Sequence, residues 1–233
     1  MLPVVILCGG LSTRLQSITE NIPKSMINIL DKPFIDHQLT LLQKNNVKNV
    51  ILCIGKFGEQ IHNYVKDGQK WNMSVQYSDD GKILLGTGGA LLKAYSILPN
   101  NFIVMNGDSY LDIDYNEILQ KYISERNLLL LTVFPIIDPK SYKNVYIKNK
   151  NILLYDKSGN NHNLNYIDYG FTLMKRRLLT NYIKESVFDF SLIYSKAISQ
   201  HSISCYKSPK IFHEIGSYEG LQETKDYINN GGN

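Results

Sequence analysis

The sequence predicts an α/β fold, a three-layer αβα sandwich about a mainly parallel central sheet. Short β-branched runs alternate with segments of helical spacing over the first two-thirds of the 233 residues. The strand candidates are apolar throughout, as in Val4–Leu7 and Phe102–Met105, which suits a sheet covered by helices on both faces. The first of them leads straight into the pair Gly9-Gly10.

Each element has its own reason. Val4–Leu7 reads as the first buried strand. Phe34–Asn45 places Leu39 and Leu42 at helical spacing, and Asn49–Ile54 is the second β-branched strand. The alternation continues with a helix over Glu59–Lys66, a short strand Ser74–Tyr77 and a helix Thr87–Tyr95. A strand Phe102–Met105, a helix Tyr115–Ser124 and a strand Leu128–Phe134 follow. That order implies parallel βαβ units with right-handed crossovers. Beyond Pro139 the pattern changes. Tyr142–Lys148 and Ile152–Tyr155 read as a hairpin, and Asn165–Met174 as a further strand. A helix Asp189–Ser199, a strand Ile203–Tyr206 and a closing helix Tyr218–Asn229 complete the chain. Neither an internal repeat nor a linker is visible, so residues 1–233 read as one domain.

Composition narrows the function classes. With 43% hydrophobic and 20% charged residues the chain is ordinary for a soluble globular protein. Runs such as Leu128–Leu131 are far too short to span a bilayer. The start lacks the basic stretch of a signal peptide and reads better as a buried strand. The formal charge is +4, but the lysines are scattered, which argues against nucleic acid. Cys8, Cys53 and Cys205 show neither disulfide nor zinc spacing and are expected to be reduced, as in a cytoplasmic protein.

Five clusters could carry chemistry. Gly9-Gly10 lets backbone N–H groups approach a bulky anion, because no Cβ intervenes. Ser12 and Thr13 add hydroxyls there, and Arg14 and Lys24 add a forked and a point-like cation. Gly86-Thr87-Gly88-Gly89 leads into a helix and admits a flat ligand or a polar group at the helix N-terminus. It is not a dinucleotide fingerprint, since it lacks the third glycine and stands away from the first βα turn. Asn106-Gly107-Asp108 follows a buried strand, where a carboxylate is a good hard-oxygen ligand for Mg²⁺, although Asn-Gly-Asp is turn chemistry in any case. Lys157 and the run Asp168-Tyr169-Gly170 lie in the second part; taken alone, Lys157 reads as a solvated turn lysine. Glu214 precedes Ser217, which is placed to cap the last helix.

In this order and spacing the clusters resemble the signatures of the sugar-1-phosphate nucleotidylyltransferases. The matching segments are GGLSTRL, PKSM, DKPF, LGTGGAL, NGD, YDKS, IDYG and FHEIGS. Ser12 stands where that family usually has Gly, Glu214 where it has Asp, and Asp168-Tyr169 where it has Asn and a small residue. The resemblance implies a Rossmann-like nucleotide-diphospho-sugar transferase fold without an appended C-terminal domain. Its nucleotide-binding part would be about 1–135 and its sugar-phosphate part about 136–233. It further implies Arg14, Lys24 and Asp108 as catalytic residues. The nucleotide would be held by Leu7, Gly9, Gly10, Ser12, Thr13, Arg14, Lys24, Gly86, Thr87 and Gly88. The sugar phosphate would be held by Asn106, Lys157, Asp168 and Gly170, with Mg²⁺ on Asp108 and Glu214.

Among short members the chain is most similar to the D-glycero-α-D-manno-heptose 1-phosphate guanylyltransferases. That implies GTP and a heptose 1-phosphate as substrates and a role in bacterial capsule, LPS or other surface polysaccharide. Neither nucleic acid nor membrane is implied as a partner, and a homo-oligomer stays open. Other pairs remain open too: mannose 1-phosphate with GTP, or glucose 1-phosphate with UTP, dTTP or CTP. So does a catalytically silent, NDP-sugar-binding regulatory relative, which would be expected to lose Arg14, Lys24 or Asp108. A glycosyltransferase of similar fold would want a D-x-D motif. Asp112-Ile113-Asp114 has that form but stands at a predicted helix start, where carboxylates suit the dipole.

Overall fold

A computed structural model describes residues 1–10, 15, 19–81, 83–138 and 140–231. In chain order the strands are β1 Val4–Leu7, β2 Asn28–Ile29, β3 Lys32–Pro33, β4 Asn49–Ile54, β5 Ser74–Asp79, β6 Asn101–Asn106 and β7 Ser109–Tyr110. They continue with β8 Leu129–Pro135, β9 Val145–Lys148, β10 Asn151–Tyr155, β11 Tyr166–Lys175, β12 Ile203–Lys207 and β13 His213–Glu214. The helices described are α1 Phe34–Lys44, α2 Gly58–Val65, α3 Gly86–Lys93, α4 Tyr115–Glu125, α5 Ser191–Ser199 and α6 Tyr218–Asn229.

A nine-stranded sheet forms the middle layer. Strands β4 and β6 flank β1 in parallel, and β5 extends the sheet beyond β4. On the other side, β11 runs antiparallel between β6 and β8, and β12 lies parallel to β8. Only β10 and β11 therefore oppose the common direction, and the sheet is mainly parallel as the sequence predicts. The position of β8 differs from that prediction. A simple βαβ succession would pair it directly with β6, but a strand from the second part of the chain lies between them. Hydrophobic patterning reports burial and period, not which strand fills a slot.

Alternation along the strands assigns the helices to their layers. Val4 and Ile6 face a core with Leu39 and Leu42 of α1, Ile61 of α2 and Ile118 of α4. Val5 faces the opposite core, with Leu91 of α3 and Ile193 of α5. A third, smaller cluster of Leu15, Ile27, Ile29, Phe34 and Ile215 seats α6 through Leu221 and Ile228. The last helix starts as predicted, with the Ser217 hydroxyl accepting from the Gly220 N–H at 3.0 Å. The predicted helix over Thr87–Tyr95 is instead α3 followed by a 3₁₀ turn at Tyr95–Ile97. The two-residue ladders β2–β3 and β7–β13 have no counterpart in the sequence prediction, being too short to carry a period.

Strands β1 and β6 are spliced at their C-terminal ends. The Gly107 N–H donates to the Leu7 carbonyl at 3.1 Å, and a Cβ on Gly107 would sit 2.5 Å from that same oxygen. Both partners are backbone, at or just beyond the end of a packed strand, so neither can yield cheaply. Gly107→Ala is expected to cost at least about 2 kcal/mol, in the range of core overpacking. Denaturant unfolding checks this, and a variant as stable as wild type would show that the strand ends can part.

Candidate active site

The parallel strands β1, β4, β5 and β6 end along one edge of the sheet, the place where open α/β sheets receive ligands. From β1 the chain passes through half-buried Leu7 and buried Cys8 to Gly9 and Gly10. Burial pushes the Cys8 thiol up to about 12, which makes it a core thiol and not a nucleophile. Cys53 and Cys205 are likewise free and buried. A Cβ on Gly9 would lie 3.3 Å from Asp80 Oδ2 and 3.4 Å from the Gly55 nitrogen, whereas Gly10 has open space above it. Ser12, Thr13 and Arg14 lie outside the described residues.

Lys24 does reach the site. Pro23, with φ of −70°, starts a short 3₁₀ turn, Lys24–Met26. From that turn the Lys24 ammonium donates to Asp108 Oδ2 at 2.9 Å, across 84 residues of sequence. The side chains are 18% and 31% exposed, so the pair is partly desolvated yet open to a ligand.

Glu214 comes alongside through β13, which pairs with β7 in the register Glu214↔Ser109. The Ile215 N–H also donates to the Asp108 carbonyl at 2.9 Å. The Glu214 carboxylate, however, is turned onto the start of α6. Its oxygens accept from the Gly216 N–H and from the Ser217 hydroxyl, the latter at 2.6 Å. Its two oxygens therefore serve the helix N-terminus, and Asp108 is the more available carboxylate. Among the described residues, no group of three or more His, Cys, Asp or Glu side chains is arranged to hold a metal.

The glycines of the second loop also pack closely against the protein itself. The N–H groups of Gly88 and Gly89 donate to the Phe188 carbonyl at 3.0 and 3.2 Å, and Phe188 N–H donates to Leu85. A Cβ on Gly86 would approach the Phe188 carbonyl oxygen to 2.5 Å, and one on Gly88 would collide with the Phe188 ring. The α3 N-terminus is thus capped by protein backbone, and Gly88 serves close packing. Thr87 sits in the same seam, its hydroxyl accepting from the Phe190 N–H at 2.9 Å.

In the second part, the Lys157 ammonium pairs with Asp189, whose other oxygen accepts from the Ser191 N–H. Asp168 is better ordered by its surroundings. Its carboxylate accepts from the Tyr155 hydroxyl at 2.9 Å and from the Gly170 N–H at 2.8 Å, and burial raises its pKa. Strand β11 takes four steps from Asp168 to Thr172 while β8 takes two, from Val133 to Leu131. In this bulge Gly170 has φ of +71° and faces Asn106, whose amide nitrogen would lie 2.7 Å from a Cβ there. Asn106, Asp108 and Gly170 are therefore brought together, while Asp168 and Tyr155 form the adjoining wall.

Sequence reasoning missed several residues here. Tyr194 and Asp189 carried no signal as ordinary core and turn residues, and Tyr155 was visible only as the first residue of the YDKS segment. Asp80 was not singled out in the sequence, and its Oδ1 is buried without a hydrogen-bond partner. Burial, then the charge of Asp79, raise its pKa to about 6. The D-x-D element is structural: Asp114 caps α4 by accepting from the Asn116 N–H at 2.8 Å, and Asp112 accepts from the Tyr227 hydroxyl at 2.8 Å.

This fold and this arrangement define a nucleotide-transferring enzyme, and comparison with known proteins agrees. Residues 3–154 match the family model described as nucleotidyl transferase, and the chain belongs to that family. More narrowly, it is a sugar-1-phosphate nucleotidyltransferase. It is 32% identical, over 80% of its length and 81% of the relative's, to the D-glycero-α-D-manno-heptose 1-phosphate guanylyltransferase of Campylobacter jejuni. To the enzyme of the same description from Aneurinibacillus thermoaerophilus it is 31% identical, over 66% and 67% of the two chains. Among solved structures, HddC from Yersinia pseudotuberculosis complexed with GMP-PN superposes with a TM-score of 0.82 and 25% identity, covering 98% of this chain and 100% of that one. The inositol-1-phosphate CTP transferase from T. maritima, at 18% identity and a TM-score of 0.80 over 98% and 95% of the chains, shares the fold.

Two outcomes follow from these assignments. Asp114→Ala is expected to cost about 1 kcal/mol, the value of a lost helix cap, and to leave turnover unchanged. Loss of turnover in a variant that stays folded would return the D-x-D element to the chemistry. For Asp80 the folded pKa lies above the unfolded one, near 4. Its ionisation therefore removes stability as pH rises from about 4 to about 6. The stability advantage of Asp80→Asn over wild type should grow through that window and stay flat above it. A difference independent of pH, measured by urea unfolding, would mean that Asp80 is not titrating there.

Proposed function

We propose that the protein condenses GTP with D-glycero-α-D-manno-heptose 1-phosphate to give GDP-heptose and pyrophosphate, for a bacterial surface polysaccharide. The carrying observation is the junction of Gly9-Gly10, Lys24 and Asp108 at the strand ends, on a chain whose 32% identical relative bears that description over four-fifths of both lengths.

In this reaction a phosphate oxygen of the sugar 1-phosphate attacks the α-phosphorus of GTP. The bond to the bridging oxygen breaks, and pyrophosphate leaves in line. No side-chain nucleophile is needed, so positioning and charge stabilisation supply the rate. Gly9 and Gly10 would line the triphosphate. Lys24 would leave its partner on Asp108 and move onto the reacting phosphates, and Arg14 would hold the departing pyrophosphate. Asn106, Asp168, Gly170 and Lys157 would orient the sugar phosphate, with the Asp168 carboxylate accepting from a sugar hydroxyl.

The donors present fit Mg²⁺. Asp108 is a partly exposed carboxylate that already holds a cationic group, the Lys24 ammonium, and Mg²⁺ is commonly bound by one or two carboxylates together with substrate phosphates. Asp108 would be its principal protein ligand, with Glu214 contributing directly or through water. Bound there, the ion would supply charge neutralisation at the α-phosphate.

Offering GTP, UTP, dTTP, CTP and ATP with heptose, mannose and glucose 1-phosphates, and measuring pyrophosphate, tests the substrate pair. Highest kcat/KM for any pair other than GTP with the heptose would overturn it. Asp108→Asn is expected to lower turnover more than tenfold, about 1.4 kcal/mol or more of transition-state stabilisation, with the fold intact by circular dichroism. A rate within a factor of ten of wild type would remove Asp108 from the metal site.

A further inference from the structure

We infer that Gln38, on α1, is a positioning residue that fixes the turn carrying Asp108, and so sets how strongly the site couples a divalent cation to the nucleotide. The inference rests on the reading of Asp108 as metal ligand and adds a residue outside the substrate-contacting set.

The geometry is specific. Gln38 is fully buried, an unusual place for an amide on a helix otherwise packed through Ile35, Leu39 and Leu42. Its Nε2 donates to the Asn106 carbonyl at 3.1 Å and to the Ser109 carbonyl at 2.8 Å. Those carbonyls flank Gly107 and Asp108, so one NH₂ group bridges the two ends of the turn. Both contacts are to acceptors, which also settles the orientation of the amide. The rest of the turn is held from other directions: Gly107 N–H by Leu7, and the Asp108 carbonyl by the Ile215 N–H. Gln38 Oε1 has no hydrogen-bond partner. A buried amide retained with half its capacity unmet is better explained by what its donors hold than by helix packing. Two further anchors keep α1 in place. Asp36 accepts from the Tyr64 hydroxyl at 2.8 Å and pairs with Lys70.

Groups that orient metal ligands typically change affinity about 10–100-fold when removed. Gln38→Met keeps the length of the side chain but removes both donors. The measurement is the affinity for GTP by calorimetry, with and without Mg²⁺ and without sugar phosphate, so that no turnover occurs. We expect Gln38→Met to reduce the Mg²⁺-dependent gain in GTP affinity about tenfold, and to alter metal-free GTP affinity less than about threefold. Leu42→Ala, buried one turn along the same helix, should lower Tm without touching that gain. An unchanged gain in Gln38→Met, or an equal loss in Leu42→Ala, overturns the inference. Should Gln38→Met fail to fold, the shorter amide in Gln38→Asn is read against the same two outcomes. A wild-type protein that binds GTP equally well with and without Mg²⁺ would instead overturn the metal reading of Asp108 itself.

Discussion

Two strands end in contact, backbone against backbone, where Gly107 lies under the Leu7 carbonyl, and the candidate site is organised around that point. Because no side chain separates them, the loop after β1 and the turn after β6 emerge side by side. Gly9 repeats the arrangement toward β4 and β5, lying against Gly55 and Asp80. Small residues thus do at the strand ends what large ones do in the core: they set how near two segments come. The charged groups then span short gaps, as Lys24 does to Asp108 at 2.9 Å. The pair presents a cation and a carboxylate at a defined point beside the strand ends.

Much of this was legible in the sequence. The strands of the first half, the helices between them and the cap of α6 follow from apolar period and turn chemistry. The family pattern named Lys24 and Asp108 as members of one site, but not their direct ion pair, because spacing along a chain says nothing of a contact across 84 residues. Direction was less legible. Strand β11 looks like any other apolar run, and its antiparallel place between β6 and β8 depends on long-range pairing. The glycines at Gly88 and Gly89 were visible while their purpose was not. A missing Cβ permits approach by a ligand or by Phe188 equally well, and the Phe188 contact becomes visible only in the fold. Gln38 was hidden for the opposite reason, since a single polar residue in an amphipathic helix gives no sign of being buried.

The polar wall around Asp168 shows how a departure from a family pattern is accommodated. A carboxylate placed on a buried strand would be costly without donors. Here the Tyr155 hydroxyl and the Gly170 N–H supply them, and the Asn144 side chain accepts from the Asp168 N–H at 2.7 Å. Thr172 and Tyr194 share a hydrogen bond one step deeper, at 2.7 Å. The wall is therefore a connected network, and replacement of one member leaves partners unsatisfied.

The placement of β11 bears on how such a chain can be divided and recombined. The boundary near residue 135 separates segments by the ligand they would contact, but the strand that fills the slot between β6 and β8 comes from beyond it. A fragment ending at Pro135 would retain β6 and β8 with two raw edges facing a gap, and the remainder would carry an orphan strand. The same holds for the seam in which Phe188 meets Gly88 and Gly89. The two portions are interlaced, so neither is a transplantable module. New preferences in such a scaffold would have to arise by replacing side chains in place, and not by exchanging halves between relatives.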